Sequence, residues 1–196
     1  MDKRRLEAQL AELPLYRYAF FRTEALAFTD RVREICRTQC PMYGKSWSCP
    51  PAVGTPEQCR GRLLRFEEGL LLVTAAEVED IADLNQTLAT RGPHQEITRR
   101  AEALVKQQCG EALALSAEAC ARCKSCTYPG RPCRFPEEML PCVESHCILV
   151  PDLAERCGVD YCVSGSIVTW YSLILYTDSA PEVTAQSTPI LSGKIL

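Results

Sequence analysis

The sequence predicts an α+β fold: a small mixed or antiparallel sheet of four to five strands, packed helices, and two irregular cysteine-rich metal loops. Three observations lead there. Short apolar runs of strand length alternate with longer segments of helical period. Stretches rich in Pro and Gly separate them. Thirteen of 196 residues are cysteine, concentrated in two of those stretches.

Residues 2–12 read as a helix with Leu6, Leu10 and Leu13 on one face, interrupted by Pro14. Leu15 to Phe21 alternates as a strand does. Thr23 or Thr29 caps a helix running to about Cys36, and residues 36–54 form an irregular loop. Thr55-Pro56-Glu57-Gln58 is a strong helix start, with Thr55 at N-cap, Pro56 at N1 and Gln58 closing a capping box. That helix is expected to reach Glu68 and stop at Gly69, before a buried strand from Leu70 to Ala75. Residues 79–90 and 94–108 read as helices broken at Gly92-Pro93, with His94 on the surface. Ala112 to Ala117 is a strand leading to Cys120. Short helical turns open at Pro136 and Pro151, the second ending at Gly158. Val159–Val163 and Ile167–Tyr176 are strands joined by a hairpin at Ser164-Gly165-Ser166. Residues 1–176 are therefore expected to form one domain, and 177–196, which show no periodicity, a tail or docking arm.

A net charge of −3 without a basic block argues against nucleic acid and anionic membranes as partners. No apolar run approaches the roughly 20 residues of a membrane span. The basic start Met1-Asp-Lys-Arg-Arg-Leu lacks a following apolar region, so a signal peptide is not expected. An odd cysteine count in a chain of this length points to metal binding in a reducing cytoplasm rather than to a disulfide framework.

The specific signal is Cys120-x₂-Cys123-x₂-Cys126 with Cys133 following. Such a run lets three thiolates reach three corners of a cubane iron–sulfur cluster, the fourth ligand coming from further along. Zinc, the less favoured reading, usually takes its cysteines as two separated pairs. The arginines and lysine at 122, 124, 131 and 134 are either tuning charges or solvated loop residues. A second group, Cys36, Cys40 and Cys49, has a spacing unlike common zinc fingers. Its fourth ligand is either absent, leaving one iron open, or supplied by Cys59. Tyr43 and Trp47 either shield this group or are core aromatics, and Pro50-Pro51 gives an extended exit. Cys142, Cys147 and His146 are spare candidate ligands. No phosphate loop, nucleophile elbow or zinc-protease motif is present in the sequence.

Cys36-x₃-Cys40-Pro41-x-Tyr43-Gly44-x₂-Trp47-x-Cys49-Pro50-Pro51, followed by the 120–126 run and Cys133-Arg134-x-Pro136, resembles a prokaryotic cysteine-rich family known only as predicted metal-binding proteins. The resemblance covers about residues 15–176 and implies an iron–sulfur protein of the anaerobic cytoplasm, with no established reaction. The segment Glu144-Ser-His-Cys147-Ile148 departs from that pattern.

Together these readings predict one or two [4Fe-4S] clusters on Cys36, Cys40, Cys49, Cys120, Cys123, Cys126 and Cys133, serving electron transfer or a redox accessory role. The alternatives are an enzyme with an open-site cluster acting as Lewis acid or sulfur acceptor, and a structural zinc or interaction module. A redox partner protein or a small-molecule substrate is expected, and a homo-oligomer is compatible with the chain.

Overall fold

The computed structural model describes residues 1–161 and 165–178. It has the expected α+β architecture: a four-stranded, wholly antiparallel sheet in the order β1-β2-β4-β3, with helices on both faces. The strands are β1 (Arg17–Arg22), β2 (Glu68–Glu77), β3 (Ala112–Ser116) and β4 (Ile167–Tyr176). The helices are α1 (Lys3–Leu10), α2 (Asp30–Gln39), α3 (Pro56–Leu63), α4 (Leu84–Ala89), α5 (Arg91–Cys109) and α6 (Val150–Arg156).

β2 and β4 form the spine, paired from Glu68↔Tyr176 to Glu77↔Ile167. Side chains alternate across the pleat. Leu70 and Leu72 therefore join Leu6 and Leu10 of α1 and Ala101 and Val105 of α5, while Leu71 and Val73 join Leu63 of α3 and Leu153 of α6. Burial on both faces explains why Leu70–Val73 is apolar throughout rather than alternating.

The capping box at Thr55 and Gln58 forms as expected. Its helix, however, ends at Leu63, and Gly69 lies inside β2 rather than stopping a helix. A Cβ at Gly69 would collide with the ring of Phe21 across the β1–β2 ladder, so the position is small because an aromatic ring lies on it. Between 79 and 90 only Leu84–Ala89 is helical, started by the Asp83 side chain on the N–H groups of Asn85 and Gln86.

The helix break is at Thr90, not at Gly92-Pro93. Pro93 falls in the first turn of α5, where its missing N–H costs nothing. His94 is consequently turned onto the sheet and is 1% exposed, contrary to the surface position expected. Its Nδ1 lies 2.9 Å from Thr74 Oγ1 and its Nε2 2.6 Å from Ser172 Oγ. Burial lowers its pKa to about 4.

α6 ends at Gly158 as expected. Gly158 (φ +65) donates to the carbonyl of Glu155, and Val159 donates to that of Ala154, the paired bonds of a Schellman stop. Residues 159–161 are not a strand, so the fifth strand and its hairpin are not found among the described residues. Residues 162–164, including Cys162, and 179–196, nearly all of the expected tail, lie outside them.

Candidate metal centre

Both cysteine loops lie at the end of the sheet where β3 finishes. α2 carries Cys36 on its inner face and ends at Cys40, whose extended backbone (ψ 124°) turns the chain into the first loop. Reverse turns then fold residues 41–54 back on themselves: Gly44 N–H donates to the Pro50 carbonyl and Val53 N–H to that of Cys49. Gly44 sits at φ +69, a backbone region that favours glycine. The exit through Pro50-Pro51 is thus a turn and not the extended segment expected.

Cys142 completes this group. The chain at 141–143 runs beside the end of β3, with Ser116 N–H donating to the Pro141 carbonyl and Val143 N–H to that of Ser116. Cys142 N–H donates to the Ser48 carbonyl at 3.0 Å. Its side chain packs with Cys49, Ala119 and Met42. Cys36, Cys40 and Cys142 line one cleft with Glu118 and Glu144. Burial pushes the Cys36 thiol up to about 11, assisted by the neighbouring Cys40, Glu144 and Cys49. The Cys142 thiol is pushed up by its hydrogen bond to Cys49 and by burial, and the same bond holds Cys49 below its usual value. The Cys142 thiol also lies 2.9 Å from Glu144 Oε2.

The second group is Cys120, Cys123, Cys126 and Cys133, which together line one small pocket with Ser46, Trp47 and Phe135. Buried Gln95 of α5 fixes the base of this loop, accepting from Ala121 N–H at 2.8 Å and donating to the Ala119 carbonyl at 3.2 Å. The loop is further closed by Arg134 on the Ser125 carbonyl (2.8 Å) and by Thr127 on the Pro132 carbonyl (2.8 Å). Burial alone would raise the Cys126 thiol. The N–H groups of Tyr128, Trp47 and Thr127 and the Ser46 hydroxyl outweigh it and hold the thiol below its usual value. Donors of this kind are what a cluster-ligating sulfur accepts.

Two of the four basic residues of the second loop are committed to structure. Arg122 pairs with Glu138 and stacks over Phe135, and Arg134 is used in closing the loop. Trp47, expected beside the first group, lies against the second. Its Nε1 donates to the Arg131 carbonyl at 3.1 Å and its ring meets Tyr128 edge-on.

The other candidates lie elsewhere. Cys59, fully buried, sits 3.5 Å from the Val53 carbonyl and 3.6 Å from Arg33 Nη2, and does not line the first cleft. Cys147 also faces Arg33. Both nitrogens of His146 are occupied, Nδ1 by the Cys142 carbonyl (2.9 Å) and Nε2 by Arg62 (3.2 Å). Arg62 can only donate, so Nδ1 carries the proton and the imidazole is neutral. Burial lowers the His146 pKa to about 4. His146 therefore anchors the Cys142 backbone.

A buried serine pair joins the two groups. Ser48 Oγ accepts from Cys120 N–H at 2.8 Å, lies 3.7 Å from Cys49 Sγ and is 2.9 Å from Ser46 Oγ. The sequence held one faint trace of Cys142's place: Pro141-Cys142 pairs proline with cysteine, as Cys40-Pro41 and Cys49-Pro50 do.

Among the described residues, no three His, Cys, Asp or Glu side chains are close enough together to hold one metal ion. The donor set of both groups, four thiols each, is one that fits a cysteine-ligated metal centre. Thiols crowded together with buried carboxyls raise one another's pKa, and positive charge between them relieves that.

Two four-cysteine groups held by buried backbone anchors place the chain in the class of cysteine-rich, metal-binding α+β proteins. The family model described as predicted metal-binding protein (DUF2284) matches residues 19–176, and the chain belongs to that family. No curated protein and no solved structure matches it. Among the described residues, no helix is long and apolar enough to cross a membrane.

Proposed function

We propose that this protein carries two [4Fe-4S] clusters and acts in electron transfer with a redox partner in a reducing cytoplasm. Cys36, Cys40, Cys49 and Cys142 would hold one, and Cys120, Cys123, Cys126 and Cys133 the other. The observation that carries this reading is the grouping of eight cysteines as four and four, bridged by Ser46 and Ser48. Clusters bound there would supply one-electron chemistry. With Cys142 as a fourth thiolate, the first site has no need of an open iron, which favours a carrier over a Lewis-acid enzyme.

The protein's own residues would set how the two sites behave. The upstream group is the more buried, with Cys36, Cys49 and Cys142 buried and Cys40 partly exposed, whereas all four cysteines of the downstream group are partly exposed. That asymmetry makes the downstream loop the entry and exit side for electrons. Arg122 and Phe135 cover it, and Trp47 and Ser46 separate it from the first group.

Protein purified without oxygen is expected to be brown and to contain about eight irons and eight sulfides per chain. Colourless protein containing zinc would overturn the proposal. The serine bridge gives a finer test. A hydroxyl donating to a ligand sulfur stabilises the reduced, more negative state by about 1 kcal/mol, or about 40 mV for one electron. Ser46→Ala is expected to lower the potential of the downstream centre by that amount, and Ser48→Ala, which removes a hydroxyl whose hydrogen is used on Ser46 Oγ, to shift the downstream centre by less and leave the upstream one unchanged. Equal shifts at both centres in either variant, read by redox titration, would rule out this assignment of the hydroxyls.

A further inference from the structure

The two cysteine loops carry a charge unlike the rest of the chain. Residues 35–56 and 119–136 hold six Lys and Arg and no Asp or Glu, in a protein of net charge −3. Arg37 and Arg122 are matched by Glu34 and Glu138. Lys45, Lys124, Arg131 and Arg134 are exposed, and among the described residues none of them has a carboxylate partner.

The fold gathers these four cations around the downstream group. Lys45, Lys124 and Arg134 adjoin Ser46, Cys123 and Cys133 in the chain, and those three residues line its pocket. Arg131 is brought in by its carbonyl, which accepts from Trp47 Nε1, and Arg134 by its bond to the Ser125 carbonyl. Between the cations lies uncharged surface. Trp47 and Tyr128 meet edge-on and are both partly exposed, and Pro129, Gly130 and Pro132 are exposed beside them. An aromatic centre poor in charge within a charged rim is the make-up of a protein–protein interface.

We infer that this face docks a redox protein whose own surface is acidic, and that electrons pass to it through the downstream group. The inference rests on the function proposed above and identifies the partner by its charge. Four unmatched cations set the sign of that charge, and guanidinium and lysyl ammonium groups keep theirs across the physiological range. Opposite charges speed encounter and fix which face is presented more than they prolong the complex. An electron carrier needs such a brief contact. The uncharged centre lets the partner close on Cys123, Cys126 and Cys133, which are themselves partly exposed. Nucleic acid fits the face less well, since four free cations fall short of the roughly six to ten phosphate contacts of strongly salt-dependent binding.

The test is stopped-flow oxidation of the full chain, purified without oxygen, assayed for iron and reduced with dithionite. The two acceptors are cytochrome c, which is basic, and cytochrome c with its lysines succinylated, which presents the same haem on an acidic surface. The succinylated form is expected to react faster by about tenfold or more at low salt, with the two rates converging as salt is raised. The double variant Lys124→Glu/Arg131→Glu, with an unchanged circular dichroism spectrum, should slow the succinylated acceptor and speed the native one. A rim that only tunes the cluster would shift its potential and so move both rates in one direction; that result would overturn the inference. Arg4→Glu, exposed on α1 at the other end of the sheet, should leave both rates as they are. Native cytochrome c reacting as fast as the succinylated form, or a single-stranded oligonucleotide binding more tightly than that form, would also overturn it. Iron-loaded protein without a charge preference counts against the face alone. Colourless, zinc-bearing protein that still binds succinylated cytochrome c in calorimetric titration, and loses it in the double variant, supports the face and counts against the clusters alone.

Discussion

Cys142→Ala is expected to remove about half of the iron, from about eight atoms per chain to about four. Cys59→Ala and Cys147→Ala are expected to retain all of it. The contrast follows from position. Cys142 is held against Cys49 by the backbone bond to Ser48 and by His146 beneath its carbonyl. Cys59 and Cys147 instead face Arg33. Iron and sulfide analysis with EPR of the reduced variants reads the outcome. Full iron in Cys142→Ala would return the upstream site to three thiolates and revive the open-iron enzyme. Loss of all iron would mean that a single cluster spans both loops.

Acid is expected to destabilise the protein through His94 well before its carboxylates titrate. His94 is buried and neutral, with a pKa of about 4 in the fold against about 6.5 in the unfolded chain. Between those values the unfolded state takes up a proton that the folded state refuses. The contribution of His94 is therefore complete above pH 6.5 and is lost as pH falls toward 4, amounting to about 3 kcal/mol at the lower limit. His146 acts with the same sign. Urea unfolding at pH 7 and pH 4.5 should show His94→Gln less stable than the parent at neutral pH, yet losing less on acidification. Parallel losses in the two proteins would place the acid sensitivity elsewhere.

His94 also illustrates where sequence reading failed. In sequence Pro93 reads as a helix boundary, and a polar residue just past it as exposed. The helix begins earlier, at Arg91, and accommodates Pro93 in its first turn. Thr74, Ser172 and Thr98 then form a buried polar patch beneath His94. Those partners come from β2, β4 and α5 and share no local pattern. Gly69 misled in the same way: it is small because of a ring on the neighbouring strand, which no helix-stop rule can anticipate.

Local chemistry reads correctly at several places where the determining groups are near in sequence. The capping box at Thr55–Gln58, the glycine stop at Gly158 and the apolar spine at 70–75 and 167–176 each depend on neighbours within a turn or on an unbroken apolar run. The spacing of Cys120, Cys123 and Cys126 is a local signal of the same kind, and Gln95 and Ser48, distant in sequence, anchor the loop that carries it.

Sequence alone therefore determined the fold class, the clustering of Cys120, Cys123, Cys126 and Cys133 about one pocket, and membership of a cysteine-rich metal-binding family. Tertiary structure decided the composition of the upstream group. Cys142 lies more than ninety residues beyond Cys49, and only the end of β3, pairing with Pro141 and Val143, delivers it to Ser48 and Cys49. The serine link between the groups and the acid-floored cleft arise from the same packing. Spacing rules register ligands that a short loop can gather by itself; a ligand carried in on the edge of a sheet leaves no period to read.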